Sequence, residues 1–229
     1  ILDLSSNGKQ PMSYLNDRYN IIFNGEIFNY LELKSDLKNY GYKFYNQTDT
    51  EVILAAYDKW KDDCFIKFNG MWSIAIWDNK IKKLILSRDR FGEKPLYFYE
   101  DEGKLIFGSE LKAVICFPGL RFNYDYAGIG QYMKLGHIPA PRTHLKNVKK
   151  LGPAEYLIKK KKNRTLIKKY WTLNQPKSQI KNKFDAIDGI KSHLIDSLKI
   201  RLRSDVQIGT SLSGGLDSSV IFSLLNILE

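Results

Sequence analysis

The hydrophobic period of this chain changes once, and that change limits the folds open to it. Through residue 171 many apolar residues come in short runs divided by turn residues. M-W-S-I-A-I-W-D (71–78) and K-L-I-L-S-R-D (83–89) flank an Asn79-centred turn. L-Y-F-Y (96–99) and K-L-I-F-G-S (104–109) flank E-D-E-G, and E-Y-L-I-K-K-K-K-N-R-T-L-I-K-K-Y-W (155–171) turns back on a lysine-rich tip. This patterning predicts three β-hairpins and hence antiparallel sheet, with helices over its faces. Later, Ile187, Ile190, Leu194, Leu198 and Leu202 step mostly by threes and fours, the mark of an amphipathic helix. V-Q-I-G-T-S-L (206–212) then reads as a strand, followed by a Gly-Gly loop and the helical run S-S-V-I-F-S-L-L-N-I-L. Helix, strand, loop, helix opens an α/β layer. The chain therefore holds two architectures, joined by a polar, Pro-containing linker at residues 173–184.

Shorter signals fill in the first architecture. Residues 20–29, N-I-I-F-N-G-E-I-F-N, read as a strand that breaks in a tight turn at Asn24-Gly25. Asn29 is placed to cap a helix whose Leu33, Leu37 and Tyr40 share a face and which Gly41 ends. Residues 42–45 read as a short strand and N-Q-T-D-T as a loop. A second helix is expected over about 51–61, with Val52, Ala56 and Trp60 on one side, and a short one over 110–116 before Pro118-Gly119.

Composition narrows the class. No run of 18 apolar residues is present, so no membrane span is expected. The two cysteines, Cys64 and Cys116, lack C-x-x-C spacing, which argues against a disulfide framework and fits a reducing, cytoplasmic setting. The formal net charge is +11, yet no zinc-finger spacing or RNA-binding aromatic motif accompanies it. The lysines read as solvated faces, not a nucleic-acid surface. The opening I-L-D-L-S-S-N-G has no initiator Met and no signal-like run, so the sequence is expected to be an internal stretch of a longer chain.

The most specific motif is S-L-S-G-G-L-D-S-S (211–219). It lacks the G-K-[ST] ending of a Walker loop. Gly214 and Gly215 allow a sharp turn and close approach of N–H groups to an anion, the serines add hydroxyl donors, and the helix N-terminus favours negative charge. Asp217 would repel bare phosphate, so a carboxylate there implies a bridging Mg²⁺. The motif resembles the pyrophosphate loop of the ATP-pyrophosphatase superfamily. That resemblance implies that Ser213, Gly214, Gly215, Asp217, Ser218 and Ser219 surround the β,γ-phosphates of ATP and their metal, with the backbone of Ser211 and Leu212 near the nucleotide.

A second constellation is F-N-G-E-I-F-N-Y (23–30), T-D-T-E (48–51), R-D-R-F-G-E-K-P-L-Y-F (88–98), G-S-E-L-K-A (108–113) and G-H-I-P-A-P-R-T (136–143). Together these resemble the glutaminase domain of class II glutamine amidotransferases. Their order ahead of the pyrophosphate loop is similar to that of the glutamine-dependent asparagine synthetase family. The resemblance implies an α+β chain: an N-terminal-nucleophile-type αββα sandwich with antiparallel sheets (1–172), then the linker, then the beginning of an α/β ATP-pyrophosphatase domain (185–229). An Asn NH₂ and an adjacent Gly N–H make a two-donor oxyanion hole, a role that falls to Asn24 and Gly25. Glu26 and Asp49 are implied to hold the α-ammonium of glutamine.

In that family an N-terminal Cys attacks the amide, with its own α-amine as base. Residue 1 here is Ile, so the nucleophile is expected upstream, and the 229 residues alone are expected to be inactive. Cys64 and Cys116 are assigned to packing, and His137, His144 and His193 to structural or surface positions. Arg88, Asp89 and Arg90 are expected to form buried or inter-layer ion pairs, with Pro95 fixing the turn. The implied reaction takes glutamine, aspartate and ATP with Mg²⁺, and leaves a homodimer open. Two other readings stand: an amidotransferase acting on another carboxylate, or a non-catalytic homologue without the cysteine.

Overall fold

The structure is a computed structural model that describes residues 2–3, 5–101, 104–160, 164–174 and 182–228. The turn residues 102–103, the lysine-rich tip at 161–163 and most of the expected linker (175–181) lie outside them. The chain divides into two compact units, Gly8–Thr172 and a second made of Ile1–Asn7 with Leu173–Glu229.

The larger unit is built on two antiparallel sheets. Strands β1 (Met12–Tyr14), β2 (Tyr19–Ile27), β3 (Gly70–Asp78), β4 (Lys83–Arg88), β8 (Glu155–Lys160) and β9 (Leu166–Lys169) run in the order β1-β2-β3-β4-β8-β9. Strands β5 (Tyr97–Asp101), β6 (Lys104–Gly108) and β7 (Val148–Lys150) form the second sheet, in the order β6-β5-β7. All three expected hairpins form, as β3–β4, β5–β6 and β8–β9.

Period-two alternation makes the layers. Ala75, Leu86 and Leu157 of the first sheet meet Leu96, Phe98 and Leu151, with Leu105 and Phe107 packed against them. On the far face of the second sheet, Tyr99 and Val148 pack with Leu145 and with Val114 of α4 (Leu111–Ile115). The outer face of the first sheet is covered by α2 (Asp49–Trp60), which lies on β1 and β2, and α1 (Tyr30–Asn39) packs against α2. The order of layers is α, β, β, α, as the family resemblance implies. Helix α2 is less amphipathic than its sequence suggests: Asp49 through Tyr57 are all buried, because α1 covers the face turned from the sheet. The short α3 (Cys64–Lys67) supplies Phe65, which packs with Phe68, Tyr156 and Tyr170.

Several local expectations are corrected. Asn24-Gly25 is not a turn: β2 runs through it in unbroken register with β3. Residues 42–45 have no strand partner. Tyr40 is exposed, although Leu33 and Leu37 are buried. Asn29 occupies the N-cap position of α1 but does not cap it; its side chain instead donates to the Lys67 carbonyl and accepts from the Asn69 N–H. Helix α5 (Tyr126–Leu135) was not anticipated, although Asp125 caps its start and Gly136, at φ +71°, ends it.

In the smaller unit, α6 (Lys183–Arg201) and α7 (Leu216–Leu228) are helices as expected. Residues 206–212 form no strand. A strand exists only as one side of a ladder, and no described residue pairs with this segment.

Candidate active site

The geometry begins at the open edge of β2. Strand β1 pairs with β2 only from Met12 to Tyr14. The Gln10 side chain takes over: its Oε1 accepts the Phe23 N–H at 2.6 Å. Four residues along, Asp49 Oδ2 accepts the Ile27 N–H at 2.9 Å. These two N–H groups point away from β3. The alternation of a strand in regular register sends the Gly25 N–H between them to the same edge.

Only glycine fits at that position. Gly25 has φ +152°, and a Cβ on it would lie 2.0 Å from the Met71 carbonyl oxygen. Across the ladder, a Cβ on Gly70 would lie 2.2 Å from the Glu26 carbonyl oxygen. The two strands are thus pressed together where β2 presents its open N–H. Asn24 projects from the face that looks toward the second sheet, where its Nδ2 donates to Ser109 Oγ at 3.2 Å. A cavity of about 150 Å³ adjoins them, lined by Asn24, Ser73, Ala75, Leu96, Phe107 and Ser109 among others. A larger cavity of about 770 Å³ lies by the β1–β2 turn, walled by Tyr14, Tyr40, Tyr42 and Tyr45. It contains none of the residues to which a motif assigns a role.

The two expected carboxylates come together beside this edge. Thr48 caps α2, accepting the Thr50 N–H, and so sets Asp49 at the first helical position. Asp49 is 4% exposed. Burial pushes its carboxyl up to about 6; hydrogen bonds from Ile27 and Thr48 pull the other way, and the neighbouring Glu26 charge adds to the rise. Glu51 of the same motif serves the fold, accepting the N–H groups of Tyr45 and Asn46.

The R-D-R-F-G-E-K segment holds the loop between the sheets, but not by the expected ion pairs. Arg88 donates to the carbonyls of Gly92, Leu151 and Lys94 at 2.6, 2.7 and 2.8 Å. Fully buried Asp89 accepts the N–H groups of Trp72, Phe91, Glu93 and Lys94. Arg90 donates to the Ile66 carbonyl. Charged side chains here satisfy backbone, which a sequence shows only as charge. Cys64 is completely buried and its thiol is raised well above the usual range by burial; Cys116 is exposed, so it has no packing role. No disulfide joins them, and neither lines the cavity at Asn24.

In the smaller unit, the Ser-Gly-Gly loop leads into α7. Gly214 has φ +78°. Ser213 Oγ lies 3.0 Å from Ser218 Oγ, and the hydroxyls of Ser218 and Ser219 both donate to the Gly215 carbonyl. Asp217 stands exposed in the first turn of α7, and Ser211 and Leu212 are exposed just upstream. A helix N-terminus and exposed glycine backbone suit an anion at this end, and the Ser218 and Ser219 hydroxyls would join them only by turning away from the Gly215 carbonyl. A metal held by protein alone does not fit, because no group of three His, Cys, Asp or Glu side chains able to hold one occurs among the described residues. One carboxylate does suit Mg²⁺ carried in on phosphates.

A family model described as "Glutamine amidotransferase domain" matches residues 1–171, and one described as "Asparagine synthase" matches residues 189–228. The chain is 41% identical over 242 residues to a putative asparagine synthetase [glutamine-hydrolyzing] 2 of Methanocaldococcus jannaschii, covering 98% of this chain and 46% of that protein. It is 36% identical over 221 residues to asparagine synthetase [glutamine-hydrolyzing] 3 of Bacillus subtilis, covering 95% of this chain and 36% of that protein. The chain thus spans less than half the length of these relatives. Among solved structures, glutamine phosphoribosylpyrophosphate amidotransferase of B. subtilis superposes with a TM-score of 0.53 at 15% identity, over 96% of this chain and 47% of that one. This likeness concerns the fold. No helix among the described residues is long and apolar enough to cross a membrane.

Proposed function

The chain belongs to the glutamine amidotransferase domain family, and from that membership we propose that it forms the ammonia-producing part of a glutamine-hydrolysing asparagine synthetase, together with the beginning of its ATP-dependent part. On this reading residues 1–172 are the glutaminase domain and 185–229 open the synthetase domain. The observation that carries the reading is the open edge of β2. Gln10 and Asp49 take the N–H groups of Phe23 and Ile27 and leave that of Gly25 between them, with the Asn24 amide alongside.

The chemistry follows from that edge. Attack on an amide carbonyl puts negative charge on its oxygen, and the Gly25 N–H and Asn24 Nδ2 are two donors for it. Glu26 and Asp49 form an anionic pair. The Glu26 charge helps to raise the Asp49 carboxyl, and a cation placed near both relieves that repulsion, so the α-ammonium of glutamine suits the place. Neither Cys64 nor Cys116 lines the cavity at Asn24, so on this reading neither of them is the nucleophile. In the second unit, Ser213, Gly214, Gly215, Ser218 and Ser219 bind the phosphates of ATP, near Ser211 and Leu212, and Asp217 holds their Mg²⁺. ATP supplies the activation of the aspartate carboxylate that ammonia then needs. The setting is cytoplasmic.

Two variants of the full-length enzyme test the reading. Asn24→Ala should lower kcat for glutamine hydrolysis by roughly 100- to 1,000-fold, while synthesis from added ammonia persists. Asp217→Ala should do the reverse, abolishing ATP-dependent synthesis and sparing glutamine hydrolysis. If Asn24→Ala hydrolysed glutamine normally, the oxyanion assignment would fall.

A further inference from the structure

Asn24 can serve an oxyanion only if its amide is turned the right way, and a side-chain amide has little torsional preference of its own. The terminal torsion of asparagine is broad and roughly two-fold. One rotamer presents N–H groups and the other a carbonyl oxygen, which would repel an oxyanion. Asn24 is exposed on the face of β2 that looks toward the second sheet, so packing alone does not fix it. What holds it is Ser109, immediately after β6: Ser109 Oγ accepts one Nδ2 hydrogen at 3.2 Å. An amide nitrogen has two hydrogens, so the second stays available. Ser109 and Asn24 both line the cavity of about 150 Å³.

We infer that Ser109 is a positioning residue of the glutaminase reaction, tethering the Asn24 amide through one Nδ2 hydrogen so that the second is held where it meets the oxyanion. The inference rests on the proposed role of Asn24. Ser109 reaches across from one sheet to a donor on the other. The two-donor hole is therefore spread over both layers: Gly25 is set by its strand, and Asn24 by the facing sheet.

The test is a double-mutant cycle in the full-length enzyme, read as kcat and KM for glutamine, with ammonia-dependent synthesis as the control for folding. Ser109→Ala should lower kcat by about tenfold with KM within about twofold. On an Asn24→Ala background it should have no further effect. Ser109→Thr, which keeps the hydroxyl, should restore most of the rate. Ser109→Cys, close in shape but a weak acceptor, should behave as Ala does and covers the case in which the alanine variant does not fold. Independent, multiplicative losses, or a change in KM alone, would overturn the inference while leaving Asn24 in its role. A normal rate from Asn24→Ala would instead remove the reading on which it stands.

Discussion

At Gly25 one missing side chain decides the site. The strand register brings Met71 so close that even a methyl group collides with backbone, which cannot swing aside as a flexible side chain does. Gly25→Ala should therefore lose cooperative folding or cost more than about 4 kcal/mol, measured by denaturant unfolding. Asp49 behaves differently. Its carboxyl, raised to about 6 by burial, must be ionised to attract an ammonium group. We expect kcat/KM for glutamine to fall as pH drops below about 6, and Asp49→Asn to raise KM at neutral pH. The same shift has a stability sign. A carboxyl whose folded value exceeds its unfolded one favours folding at low pH, and that contribution is lost as pH rises through about 6. Asp49→Asn, whose Oδ1 can still accept the Ile27 N–H, should then melt no lower than the parent at pH 8.

Among the elements, the loop after β4 carries more of the architecture than its length suggests. The Arg88 guanidinium satisfies three carbonyls in three directions, and Tyr170 donates to the carbonyl of Arg88 itself. Lysine has no planar fork to replace this. Arg88→Lys should cost about 3 kcal/mol, with thermal unfolding lowered by several degrees. Such an arrangement is only partly visible in a sequence. The hairpins were legible because alternation and turn residues lie close together in the chain, and the layers followed from them. The N-G pair at 24–25 reads as a turn because that dipeptide is the strongest hairpin signal; what overrides it is the partner strand β3, some fifty residues away. Residues 206–212 have the composition of a strand, but pairing is a property of two segments. The candidate site was legible through its motifs, which name Asn24, Gly25, Glu26 and Asp49. The supports at Gln10 and Ser109 were not, although Ser109 sits inside a quoted motif, because side-chain contacts between distant segments leave no local pattern.

For the molecule as a whole, the division into two units suggests where its stability resides. The larger unit encloses its own apolar layers and closes with Tyr170, which stacks on Trp72 and donates its N–H to Ala154. A chain ending at Thr172 should unfold cooperatively, whereas one ending at Lys169 should show a lower, broader transition by calorimetry. The first sheet also ends in a particular way. Beyond β9 no further strand pairs with it among the described residues, and Leu166 and Ile167 are exposed there. A bare apolar edge invites a neighbouring chain to add itself as the next strand. Here the last two residues of that strand are Lys168 and Lys169, so a second copy arriving edge to edge would set lysine against lysine in parallel register, or lysine against Leu166 and Ile167 in antiparallel register. These lysines act as gatekeepers against fibrous self-assembly, and a variant with both neutralised is the one to watch for precipitation during refolding.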